Sequence, residues 1–168
     1  MNSTKNKKET HAEIMEKITE KYENSLFFQL NSNAKYYNRL FEKFFKELYI
    51  EVNGLEHLAL TVISQTENCC QRDLARILVK DRANTGKIVN VLEKKGLINI
   101  ELKQKNNRPA KILTLTKKGE KINEEVHQII LPLITKIYTE IDIKEIEQTK
   151  QTLNKLRKAV EKNIKIDI

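Results

Sequence analysis

The sequence predicts a mostly α fold that carries one small β-hairpin. Three observations lead there. The 168 residues hold only 4 Gly and 2 Pro, about a third of ordinary usage, which argues against turn-rich sandwiches and barrels. Apolar residues recur at spacings of three and four along most of the chain, the period of amphipathic helices. Only between residues 98 and 115 does the period fall to two. A single domain of this length buries roughly 70% of the surface its unfolded chain would expose, so no disulfide or metal staple is required.

Residues 1–24 read as a polar N-terminal arm with a short helix marked by Ile14, Ile18 and Tyr22. Residues 25–52 hold one long helix, striped by Phe27, Leu30, Tyr37, Leu40, Phe41, Phe44, Phe45 and Leu48. Asn53 with Glu56 three residues later is a capping box, opening a helix through Leu58, Ala59, Val62 and Ile63. Asn68 with Gln71 gives a second such signal, for a short helix through Leu74, Ala75 and Leu78. Asp81 is an N-cap for a third helix that runs to Lys95 and stops at Gly96. Ile98, Ile100 and Leu102 then mark a half-buried strand, residues 104–109 a polar loop, and Lys111, Leu113 and Leu115 one face of a returning strand. Thr116 caps a long helix striped by Ile122, Val126, Ile129, Ile130, Leu133, Ile134 and Ile137. Pro132 should kink it. Asp142 with Glu145 reads as another capping box, opening a last helix on Ile146, Leu153, Leu156 and Val160.

Charge is distributed unevenly. The net +8 resolves into −1 over residues 1–69, +9 over residues 70–118 and 0 over residues 119–168. Scattered surface lysines would spread evenly, whereas a basic block in a neutral chain is the footprint of a polyanion site. That block coincides with two short helices, a tight turn and a basic hairpin, which together make a winged helix-turn-helix. In such a unit the second helix enters the major groove and the wing follows the backbone. At about 100° per residue, Thr85, Ile88, Val89 and Leu92 point to one side, and Ala83, Gly86, Lys87, Asn90 and Lys94 to the other. Lys donates to guanine and Asn pairs bidentately with adenine, so Lys87 and Asn90 are the leading base readers. Ala83, Asn84 and Thr85 complete the candidate base contacts. Small Ala83 and Gly86 would let the helix approach a base edge closely, although Gly86 reads equally as drift at an exposed site. Arg72, Arg82, Lys94, Lys103, Lys105, Arg108 and Lys111 are the candidate contacts to phosphate or the minor groove.

From residue 25 to about residue 160 the chain resembles the MarR-type bacterial transcription regulators. The likeness rests on Cys70-Gln71-Arg72-Asp73-Leu74-Ala75, on residues 81–87 and 92–98, and on the junction Leu113-Thr114-Leu115-Thr116-Lys117-Lys118-Gly119. It implies a homodimer built from the first and last two helices, binding a pseudo-palindromic operator in double-stranded DNA. It further implies repression relieved by a small-molecule effector or by oxidation. The chain thus divides into a dimerisation helix at 25–52, a DNA-binding lobe at 53–116 and C-terminal dimerisation helices at 117–168. Two departures stand out. The family's wing carries Asp-x-Arg, and those places fall on Asn107 and Pro109, with Arg108 between them. Gly86-Lys87 stands where the family often has Thr-Arg.

Other chemistry has weaker support. Cys69 and Cys70 are adjacent, so a structural disulfide would be strained. They read either as a redox pair at a helix start or as small core hydrophobes. His11, His57 and His127 have no metal-like spacing, and neither a metal nor a cofactor is expected. No phosphate loop or nucleophile motif points to an enzyme. Tyr36, Tyr37 and Phe41 read either as the lining of an effector pocket or as helical core. The N-terminus lacks the apolar stretch of a signal peptide and no segment has the length of a membrane span, so a cytoplasmic protein is expected. A second reading makes the lobe a protein-interaction module whose basic face binds an acidic partner.

Overall fold

The computed structural model describes residues 10–105 and 108–164. The chain divides into two compact units, with the boundary between Glu51 and Val52. The first unit holds α1 (His11–Glu23) and α2 (Leu26–Glu47). A full capping box starts α1: the Thr10 hydroxyl accepts from the Glu13 N–H, and the Glu13 carboxylate accepts from the Thr10 N–H at 2.7 Å. Phe45 is the buried residue of α2.

The second unit runs α3 (Gly54–Gln65), α4 (Gln71–Leu78), α5 (Arg82–Lys94), β1 (Ile98–Lys105), β2 (Arg108–Leu115), α6 (Lys117–Tyr138) and α7 (Ile143–Asn163). Asn53 and Glu56 form the expected box at the start of α3. Its counterpart on α4 differs from expectation. Asn68 sits in the left-handed region at φ 49°, too early to cap, and the box is made by Cys70 and Asp73. Gly96, at φ 68°, closes α5 as expected: its N–H donates to the Glu93 carbonyl and that of Leu97 to the Leu92 carbonyl. This paired-bond termination needs a left-handed residue, which glycine adopts without steric cost.

The same termination ends α4, but there Val79 holds the left-handed position at φ 51°. Its N–H donates to the Arg76 carbonyl and the Lys80 N–H to the Ala75 carbonyl. A β-branched residue in this region is strained by about 1–2 kcal/mol. Val79 is exposed, so its side chain returns little packing. Val79→Gly is therefore expected to stabilise the fold by about 1 kcal/mol, after the extra unfolded-state entropy of glycine is subtracted. Equilibrium denaturation measures this, and a loss of stability would contradict the strain.

The strands pair antiparallel from Ile98↔Leu115 to Lys105↔Arg108. The wing is thus longer than expected, because Gln104, Lys105, Arg108 and Pro109 belong to strands and not to the loop. Leu102 is not half-buried but 79% exposed, since the hairpin has run past the core by that point. On β2 the covered residues are Ala110, Ile112 and Leu113, so burial is not confined to the face of Lys111, Leu113 and Leu115. Cys70 bridges to Ile112 and forms a small buried cluster with Ile112 and Ala110, fastening the start of α4 to the wing. The main core joins Ala59, Leu60 and Ile63 of α3 to Leu74 of α4, Val89 and Leu92 of α5, and Val126 of α6. Helix α6 is one helix across Pro132. Asp142 caps α7 through the Lys144 N–H at 2.7 Å, without the second half of the box expected from Glu145. No residue of α7 is buried.

Candidate nucleic-acid interface

The helix-turn-helix is set by local hydrogen bonds. The Asp81 carboxylate accepts from the Asn84 N–H at 2.7 Å and from the Asn84 side-chain amide at 2.6 Å. Those bonds, the amide N–H first, hold the Asp81 carboxyl below its usual range. With α5 started there, Thr85, Ile88, Val89 and Leu92 turn into the core. Ala83, Asn84, Lys87, Asn90 and Lys94 are exposed. Thr85 is the exception among the expected base readers. It is fully buried, and its hydroxyl donates to the Asp81 carbonyl at 2.8 Å, so it anchors the helix instead of facing a ligand.

Gly86 lies beside α4. A β-carbon there would lie 3.3 Å from the side-chain nitrogen of Gln71. That amide donates to the Arg82 carbonyl at 3.3 Å, joining α4 to the first turn of α5. Gly86 is half-buried beside this link between helices, and a small shift of the Gln71 side chain would admit a β-carbon there.

Four cations converge beside this link. Arg72 of α4, Arg82 of α5, and Arg108 and Lys111 of β2 line one open groove with Gln71 and Pro109. All four cationic residues are exposed. Lys103 is also exposed, but its ammonium lies 2.7 Å from the Glu101 carboxylate on the same strand, a surface pair of small energetic weight. Lys105 differs from the rest: its ammonium lies 2.5 Å from Asp73 Oδ2 and 2.9 Å from the Asn68 carbonyl oxygen. Asn107, one of the two Asp-x-Arg places, lies outside the described residues.

Neither cysteine has the setting of a reactive thiolate. Both are buried and free, and burial pushes the Cys69 thiol up to about 11. A sensing thiolate needs the opposite shift and solvent access, so the small-hydrophobe reading fits Cys69, whereas the buried Cys70 thiol donates to Asp73 Oδ2 at 3.0 Å. In the first unit Tyr36 and Tyr37 are exposed and Phe41 is half-buried, which does not fit a buried helical core. Among the described residues no helix is long and apolar enough to cross a membrane.

Sequence reasoning missed three positioning residues. Gln71 appeared only as a partner for Asn68, and Asp73 only as part of a motif, because a cysteine cap lacks the usual Ser/Thr/Asp/Asn signature. Lys95 was read as the end of a helix, whereas its ammonium lies 2.6 Å from the buried carboxylate of Glu56.

Known proteins match this arrangement. The MarR family model matches residues 52–108, which span α3 through the start of β2. The HTH-type transcriptional regulator BilQ of Clostridium symbiosum is 31% identical over 135 residues, covering 77% of this chain and 93% of that protein. The chain belongs to the MarR family, and it is a transcriptional regulator of that type. Among solved structures, the S. aureus MepR–DNA complex superposes with a TM-score of 0.71 at 18% identity, over 82% of this chain and 98% of that one. A MarR/EmrR family transcriptional regulator from Acinetobacter sp. ADP1 gives 0.72 at 22% identity, over 80% and 93% of the two chains. These likenesses establish the winged-helix fold.

Proposed function

We propose that the chain is a cytoplasmic homodimeric repressor that binds a pseudo-palindromic operator in double-stranded DNA. Helix 82–95 reads bases through Ala83, Asn84, Lys87 and Asn90. Arg72, Arg82, Lys94, Arg108 and Lys111 hold the backbone or the minor groove. The observation that carries this reading is the groove of four exposed cations, one of which, Arg82, is the first residue of the helix bearing Lys87 and Asn90. That a protein of the same fold, S. aureus MepR, has been solved as a complex with DNA supports DNA as the ligand.

Residues 25–52 and 117–168 serve dimerisation in this reading. No residue of α7 is fully buried, and Leu131 and Tyr138 of α6 and Ile143 and Leu153 of α7 are exposed. Uncovered stripes of this length are what a second copy would bury, and two-fold symmetry then spaces the two α5 helices about one DNA turn, roughly 10 bp, apart. A small-molecule effector would be read at Tyr36, Tyr37 and Phe41.

Selection from random duplexes, paired with light scattering, tests the proposal. The expected product is two inverted half-sites roughly 10 bp apart, bound by a dimer with affinity that falls linearly in log–log form as salt rises. A folded monomer at low micromolar concentration that still selects a sequence would contradict the dimeric reading.

A further inference from the structure

Lys105 ends β1, and Arg108 is its cross-strand partner on the same face of the hairpin. The Lys105 ammonium is shared between Asp73 Oδ2 at 2.5 Å and the Asn68 carbonyl at 2.9 Å. The same carboxylate oxygen accepts from the Cys70 N–H and the Cys70 thiol, each at 3.0 Å. Cys70 is in turn bridged to Ile112 of β2. Asp73 is thus fixed from its own helix, and through Lys105 it reaches the far end of the wing.

The exposures separate Lys105 from the other wing cations. Its side chain is 26% exposed and that of Asp73 21%, whereas Arg108 and Lys111 stand open. Two of the three ammonium protons are already placed, one of them on a carboxylate, so a phosphate would have to compete with Asp73 for the charge. The pair also sums to zero charge, so it adds nothing to the field that attracts a polyanion.

We infer that Asp73 and Lys105 are the brace of the wing, and that Lys105 is a positioning residue that aims Arg108 instead of a phosphate contact. This departs from the role the sequence suggested for Lys105, and it rests on the DNA reading proposed above. It also supplies what the sequence appeared to lack. Where the family braces its wing arginine with an aspartate two residues before it, this chain anchors the neighbouring strand end to α4. The titration of both groups agrees with the geometry. Partial burial would raise the Asp73 carboxyl, yet the bonds from Lys105 and Cys70 bring it down to about 2. The Lys105 ammonium is raised, first by its bond to Asp73.

The test uses the full chain with Lys105→Gln and Asp73→Asn. Hydrogen exchange of the wing amides is read without DNA. Duplex affinity is read against salt on A·T-rich and G·C-rich flanks. Each single variant should speed wing exchange by about tenfold, the loss of one charged hydrogen bond. Each should also narrow the A·T preference supplied by an ordered minor-groove arginine. Lys105→Gln should leave the salt slope unchanged, where a lost phosphate contact would lower it by about one unit. Asp73→Asn keeps an acceptor for the helix cap, so a general loss of folding is separated from loss of the brace. A slope reduced by about one unit with the wing still protected would overturn the inference, as would unchanged protection in both single variants. Wild-type protein without salt-dependent duplex binding would instead overturn the DNA reading.

Discussion

Gly119→Ala is expected to destabilise the DNA-binding lobe by about 3 kcal/mol, near the upper end for an overpacked site, and to lower its melting temperature by roughly 10 °C. The reason is local. Gly119 lies in the first turn of α6, its N–H donating to the Thr116 hydroxyl at 3.1 Å. Thr116 in turn donates its hydroxyl to the Gly96 carbonyl at 2.7 Å and its N–H to the Leu97 carbonyl at 3.0 Å. A β-carbon at 119 would overlap the Leu97 carbonyl oxygen and sit 3.0 Å from the carbonyl carbon. Leu97 is fully buried at the root of the wing, so its backbone has no free direction in which to move. Gly86→Ala is the control. There the neighbour is the end of the flexible Gln71 side chain, and alanine gains up to about 1 kcal/mol of helix propensity, so stability should stay within about 1 kcal/mol of wild type. Denaturant titration of both variants reads the difference, and equal effects would refute the close approach at Gly119.

Glu56→Ala should cost a similar amount, about 3 kcal/mol, because it breaks a largely buried ion pair from one side. The Glu56 carboxylate accepts from the Asn53 N–H at 3.1 Å and from the Lys95 ammonium at 2.6 Å, so one group caps α3 and grips the end of α5. Its side chain is 10% exposed, against 29% for Lys95. Glu56→Gln keeps an acceptor for the cap and should lose less. In a double-mutant cycle with Lys95→Met, the coupling should be largest for the charged pair. Additive losses would show that Glu56 acts through the cap alone.

Much of the lobe was legible because its signals are local. The Asn53–Glu56 box, the Asp81 cap, the Gly96 stop and the change from period three-to-four to period two each depend on a few neighbouring residues. Where reading failed, a partner lay far away in sequence. Thr85 sits beside Asn84 and Lys87, yet its burial follows from the phase of α5 against α3 and α4. Gln71 of α4 lies beside Gly86, fifteen residues later, and Lys105 is explained by Asp73 on another element. Leu102 kept the strand's alternation, but pattern alone did not show that the hairpin extends past its core. The cap at Cys70 escaped because a thiol is an uncommon capping group, and Asn68 offered a more familiar one two residues earlier.

In the proposed complex α5 reads bases while the cations beside it hold the backbone. The most direct measurement is the affinity of wild type and Lys87→Ala for a selected duplex and for a random duplex of equal length at one salt concentration. Lys87→Ala is expected to cost about 1–3 kcal/mol on the selected duplex, confined to one or two base positions, with a much smaller loss on random DNA. Equal losses on the two duplexes would make Lys87 another phosphate contact and contradict base reading by the exposed face of α5.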